Sequence, residues 1–215
     1  LNLLLDEHFG FSIPIMEGLT GVIFVESLHY FPFILMNLVV ALRAQGHALG
    51  EPRYVARTGW TTDELAGAMD AEEFAPPYEL VSLLIGVNNQ YRGRDPQEYQ
   101  REFAALLARA TALAGGRRER VFVLSIPDWG VTPFAAGSER DPARIARELD
   151  DYNALARAEC ARQSVAFVDI TPVSRGVARA ELTGDGLHPS DAQYARWAAA
   201  ATPVVAALLA PPASP

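Results

Sequence analysis

The chain has 215 residues, half of them apolar and a fifth charged, with 26 acidic against 18 basic side chains and a formal net charge of −8. That is the make-up of one globular domain with a full core, and an acidic balance with no basic run excludes a nucleic-acid-binding face. The single cysteine, Cys160, excludes an internal disulfide and any multi-cysteine metal site.

Every basic residue is Arg, and the distribution is uneven: residues 1–40 hold no Ala and no Arg, whereas residues 41–215 hold 35 Ala and all 18 Arg. Such a break suggests two sequence sources joined near Ala41–Gly46. It divides the chain into a hydrophobic segment, 1–43, and a domain, 44–210, followed by a frayed tail, 211–215. Residues 1–20 read as irregular, because Asp6-Glu7-His8, Gly10, Pro14 and Gly18 interrupt any period. Residues 21–27 read as a short buried strand. The apolar run from Phe31 to Leu42 reads as a helix closed by Gly46. Residues 19–42 reach spanning length only by including Glu26 and His29, so any membrane association is expected through this stretch alone. No basic n-region or cleavage site marks a signal peptide, which favours the cytoplasm.

From Arg53 the pattern is regular. A short strand at 53–57 leads to Gly59, and Thr61-Thr62-Asp63-Glu64 has capping-box spacing for a helix. Residues 79–85 form a near-continuous apolar strand of the buried parallel type, ending at Gly86-Val87-Asn88-Asn89. Asp95-Pro96 opens a helix with Tyr99, Phe103, Leu106, Ala110 and Leu113 on one face, stopped at Gly115. Residues 120–126 are the next strand, and Asp141-Pro142 opens a helix burying Ile145, Leu149, Tyr152, Ala156 and Cys160. Cys160 is therefore a small core residue. Residues 165–170 are a last strand. Ser190 then caps a helix with Tyr194, Trp197 and Ala201 inward, which Pro203 should kink or end. Strands alternating with helices predict a parallel sheet covered on both faces.

In open α/β sheets, sites form at the carboxyl ends of strands, and three polar turns qualify. One holds Gly59 and one holds Asn88. The third, Gly184-Asp185-Gly186-Leu187-His188-Pro189, places a carboxylate three residues before an imidazole, so that the acid can hold the ring of a general base. A glycine N–H and an Asn amide are donors suited to a developing oxyanion.

The three turns, in this order, resemble the SGNH (GDSL-type) hydrolase family over about residues 41–209. Gly59 in Thr58-Gly59-Trp60 matches its isolated Gly block, Gly86-Val87-Asn88-Asn89 its Gly-x-Asn-Asp block, and Asp185-Gly186-Leu187-His188-Pro189 its Asp-x-x-His-Pro block. The resemblance implies a flavodoxin-like three-layer α/β/α sandwich with a parallel sheet of four to five strands. It also implies serine ester hydrolysis of a small-molecule substrate with no metal or organic cofactor. His188 would be the base, Asp185 its orienter, and Gly59 and Asn88 the oxyanion hole.

The family's Gly-Asp-Ser nucleophile block is missing. Val25-Glu26-Ser27-Leu28 is the nearest candidate, because it follows an expected strand and precedes a helix. Val25 stands where the turn wants Gly, so Ser27 is expected to be a poor nucleophile, if residues 21–26 take the central slot between 53–57 and 79–85 at all. Residues 1–43 also resemble part of a binding-protein-dependent ABC transporter permease, which would make the chain chimeric. Three readings follow: an ester hydrolase with an atypical first block, a catalytically dead relative, or a permease fragment with a passenger domain.

Overall fold

The computed structural model describes residues 31–210. The strand expected at 21–26, Ser27 and the tail 211–215 lie outside them.

Three parallel strands form the sheet among the described residues: β1 (Val81–Leu83), β2 (Val121–Leu124) and β3 (Ala166–Val168), adjacent in that order. Val81 pairs with Val121, and Phe122 with Ala166. All four residues of β2 are buried. Their side chains alternate between the two faces, which is why the strand reads as continuous rather than alternating apolar sequence. Val121 and Val123 enter one core, with Tyr99, Phe103, Leu107, Leu149 and Tyr152. Phe122 and Leu124 enter the other, with Ile34, Leu38, Leu42, Tyr194 and Trp197.

Helices cover both faces. α1 (Phe31–Ala44) and α8 (Asp191–Leu209) pack together on one side. On the other side lie α2 (Thr62–Asp70), α4 (Pro96–Leu113) and α6 (Pro142–Gln163). The short helices α3 (Val87–Tyr91), α5 (Pro133–Ala136) and α7 (Thr171–Arg175) follow strands or lie in the long loop after β2. The caps of α4 and α6 are those expected, whereas Ser190, at the N-cap position of α8, makes no side-chain cap bond. Asp95 Oδ1 accepts from the N–H groups of Gln97 and Glu98 at 2.6 and 3.1 Å, and Asp141 Oδ1 from Ala143 N–H at 3.0 Å. Pro follows each of them at the first helical position. The face of α6 is buried from Ile145 to Cys160, and burial pushes the Cys160 thiol up to about 12. The three-layer α/β/α architecture is thus the expected one.

One further expectation fails, and a second fails in part. Residues 53–57 carry no strand. A parallel strand exists only as one side of a ladder, and the slot that would separate 53–57 from β1 holds no described strand; among the described residues β1 pairs with β2 alone. Pro203 does not end α8, which runs through it to Leu209. Val205, two residues beyond, is fully buried in the core shared with α1, so packing on the far side of Pro203 holds the helix together against the lost hydrogen bond.

Candidate active site

Gly86 closes the β1 segment and opens α3 with φ +122°. A Cβ there would lie 2.6 Å from Tyr99 Cε2 and 2.8 Å from Ile126 Cδ1. Only glycine meets both the backbone and the space at this position. The turn that follows aims one face of α3 at the Gly59 turn. Asn88 Nδ2 donates to the Trp60 carbonyl at 3.1 Å. Asn89, fully buried, accepts from Thr62 N–H at 3.1 Å and donates to Thr62 Oγ1 at 2.6 Å. The Thr62 hydroxyl donates its own proton to Glu102. Arg92 Nη2 donates to the Gly59 carbonyl at 2.7 Å.

Gly59 has φ +92°, a conformation that favours glycine. Beyond it Glu64 closes the N-terminus of α2. Its Oε2 accepts from the N–H and hydroxyl of Thr61 at 2.8 and 2.9 Å, and its Oε1 accepts from Arg92 Nη1 at 3.3 Å. The Thr61 N–H first, and then its hydroxyl, hold the Glu64 carboxyl below its usual range.

The opposite wall is the loop from Thr183 to Ser190. It is pinched by Thr183 N–H donating to the His188 carbonyl at 2.7 Å and by an antiparallel bridge between Leu182 and Pro189. Gly186, at φ +67°, makes the bend. Asp185 Oδ1 accepts from the Thr183 hydroxyl at 2.7 Å, from Leu187 N–H at 2.9 Å and from His188 N–H at 3.0 Å. Asp185 Oδ2 bonds His188 Nδ1. Burial alone would raise the Asp185 carboxyl; the bonds from the His188 ring, the two N–H groups and the Thr183 hydroxyl outweigh it and hold the acid well below its usual range. Phe134 N–H donates to the Gly186 carbonyl at 3.1 Å and ties the loop to α5.

A cleft of about 840 Å³ is lined by Gly59, Asn88 and His188 together, and continues along β1 to the 49–58 segment. Of the expected site residues, these three line one cleft, Asp185 is bonded to His188, and Ser27 lies outside the described residues. Tyr91, Trp129 and Phe134 also line it, and sequence reasoning missed them. Trp129 Nε1 donates to Gln90 Oε1 at 2.8 Å, and Gln90 in turn donates to Glu148 at 2.7 Å. The Arg140 guanidinium lies 4.5 Å from the Tyr91 ring centre. Arg92 was missed as well, though its place four residues after Asn88, on one helical face, was a usable signal. Several described serines are engaged in structure: Ser125 bonds Asp169, Ser138 the Ala135 carbonyl, and Ser174 the Thr171 carbonyl. No group of three or more His, Cys, Asp or Glu that could hold a metal ion occurs among the described residues.

The arrangement has relatives. An acetylxylan esterase from Geobacillus stearothermophilus superposes with a TM-score of 0.60 at 22% identity, over 80% of each chain. A lipase/acylhydrolase from Enterococcus faecalis superposes with a TM-score of 0.60 at 18% identity, over 86% of this chain and 90% of that one. The structure named TesA gives a TM-score of 0.60 at 22% identity, over 80% and 87%. At such identities these likenesses establish the fold. No curated protein matches the chain, and the permease likeness of residues 1–43 is not borne out. The described part of that segment is a helix with Ile34, Leu38 and Leu42 buried against α8 and the sheet. No helix among the described residues is long and apolar enough to cross a membrane. The model of the GDSL-like lipase/acylhydrolase family matches residues 37–196, beginning inside α1 and ahead of the compositional break. The chain belongs to the GDSL-like lipase/acylhydrolase family.

Proposed function

We propose that the protein hydrolyses small-molecule esters by acyl transfer, with His188 as general base and Asp185 holding its ring. The Gly59 N–H and the Asn88 amide bind the oxyanion. One observation carries the reading: His188, bonded to Asp185, lines a single cleft together with Gly59 and Asn88. Asp185 engages Nδ1, so Nε2 is the nitrogen that takes the proton of the attacking hydroxyl and returns it to the leaving alcohol. Water, activated by the same nitrogen, then releases the acyl group. Asn88 spends one amide hydrogen on the Trp60 carbonyl, which fixes the plane of the amide, and the second is assigned to the oxyanion.

Ser27 is the nucleophile this reading assigns, on its place in the sequence. A β-branched Val25 in the position where a sharp turn wants Gly makes it a slow one. The test is a fluorophosphonate probe on purified protein, read by mass spectrometry of tryptic peptides, beside turnover of an aryl acetate. Labelling at Ser27 that disappears in Ser27→Ala, and turnover that falls by about 10³-fold or more in His188→Ala at unchanged Tm, are expected. A folded protein that neither labels nor turns over would instead be a relative without a working nucleophile.

A further inference from the structure

We infer that Arg92 is a positioning residue for the oxyanion hole: its guanidinium bridges the Gly59 carbonyl and Glu64, and so fixes the Gly59–Trp60 peptide, which directly follows the residue whose N–H faces the reaction. The inference rests on the role proposed above for Gly59.

Among the described residues little else holds Gly59 in place. Glycine at φ +92° has no side chain to lock its rotation. The segment before it, 51–57, has no regular structure, and the local turn bond, Trp60 N–H to the Arg57 carbonyl, is long at 3.4 Å. The carbonyls of Gly59 and Trp60 are instead reached from α3 and its C-cap. Asn88 takes that of Trp60 at 3.1 Å, and Arg92 takes that of Gly59 at 2.7 Å. Asn88 carries two amide hydrogens and two tasks, so Arg92 is the one donor here dedicated to orientation.

The geometry needs a fork. One Arg92 nitrogen meets Gly59 and the other meets Glu64 Oε1 at 3.3 Å, while the second oxygen of Glu64 is taken by Thr61. A planar guanidinium spans both partners; an ammonium is a point charge and engages them in turn. The Arg92 and Glu64 side chains are 43% and 39% exposed, and ion pairs this open add little to stability. The consequence of losing Arg92 therefore falls on the order of the turn rather than on the fold.

The experiment follows hydrogen exchange of the Trp60 amide, whose peptide carries the Gly59 carbonyl, together with kcat and KM on an aryl acetate, in the wild type, Arg92→Ala and Arg92→Lys. Arg92→Ala should speed exchange at this amide by about tenfold or more while α4 amides are unchanged. It should lower kcat by about ten- to a hundredfold with KM within about twofold. Arg92→Lys should restore neither. Exchange in Arg92→Ala within about twofold of wild type, a loss confined to KM, or full rescue by Arg92→Lys overturns the inference. If the wild-type protein neither turns over nor labels at Ser27, the hydrolase reading fails on its own terms, and exchange at Trp60 alone decides for or against the fork.

Discussion

On the side of the cleft proposed to bind the oxyanion, the hydrogen bonds that tie α3 and its C-cap to the Gly59 turn and α2 join residues 27 to 33 apart in sequence, from Asn89–Thr62 to Arg92–Gly59. On the base side they mostly join residues two to five apart, all between Thr183 and His188. Burial differs in the same sense: Asn89 is fully buried, whereas the Asp185 side chain is 44% exposed. One wall is therefore part of the core and the other is a folded-back loop pinned to it, chiefly through Phe134 and Gly186. Changes to the buried residues of the first, Gly86 and Asn89, should cost the protein its stability, and changes to the second should cost it little beyond the chemistry.

The largest effect expected on stability is at Gly86. In Gly86→Ala the new methyl must displace Tyr99 and Ile126, two buried side chains at 2.6 and 2.8 Å, and must hold a φ of +122°. Overpacking and backbone strain together cost about 3–4 kcal/mol. For a chain of this size that lowers Tm by roughly 8–15 °C, readable by calorimetry. Gly59→Ala is the internal control, because its Cβ would meet nothing nearer than Arg92 Nη2 at 3.9 Å. The strain there should cost only about 1–2 kcal/mol. Equal losses at the two glycines would break the distinction between a packed hinge and an oriented turn.

Asn89→Asp comes next, and it asks why Asn stands where the family block has Asp. Asn89 must both accept, from Thr62 N–H, and donate, to Thr62 Oγ1, because that hydroxyl gives its own proton to Glu102. A carboxylate cannot donate. It would face the lone pairs of Thr62 Oγ1 in a fully buried place, with the Glu102 carboxyl one bond further on. Leaving that contact unsatisfied costs about 2–3 kcal/mol. The double variant Asn89→Asp with Glu102→Gln should recover part of it, because the Thr62 hydroxyl is then able to turn its proton toward the introduced carboxylate. A denaturation midpoint equal to wild type in the single variant would show that the block tolerates either residue and that the network does not select.

The same contrast between local and distant bonds explains what could be read from the sequence. The helices α4 and α6 were legible because their caps, Asp95-Pro96 and Asp141-Pro142, act within three residues and their buried faces repeat at helical period. The Asp185–His188 pair was legible for the same reason. Residues 53–57 were not, because their apolar character is real but a strand is a property of two segments. Pro203 misled because its penalty is local, whereas the burial of Val205 that offsets it comes from α1, across the domain. At the site, Asn88 and Gly59 were found as two separate turns. That Asn88, Asn89 and Arg92 bind the second turn from one short helix and its cap depends on how β1 and α2 are brought together, and nothing within either turn encodes it.

The smallest effect concerns pH and the base side. The folded-state pKa of Asp185 is depressed, although burial opposes this, by the His188 ring, the His188 and Leu187 N–H groups and the Thr183 hydroxyl. Its unfolded value is about 3.9. Above that the carboxylate is ionised in both states and its contribution to stability is fully present. Below it the unfolded chain takes up a proton first, and the contribution is lost as pH falls through the lower, folded value. Solvent screening at a side chain this exposed reduces that contribution to under about 1 kcal/mol. Asp185→Asn keeps an oxygen for the three Oδ1 bonds and loses only the ionic partner of the imidazole. The Tm difference between wild type and Asp185→Asn should therefore be small throughout, and should shrink toward zero as pH falls below about 3.9. A difference of about 5 °C or more at pH 7, on the scale expected for the buried clamp, would mean that the base loop is as much a part of the core as the oxyanion wall. The comparison between the two sides would then fail.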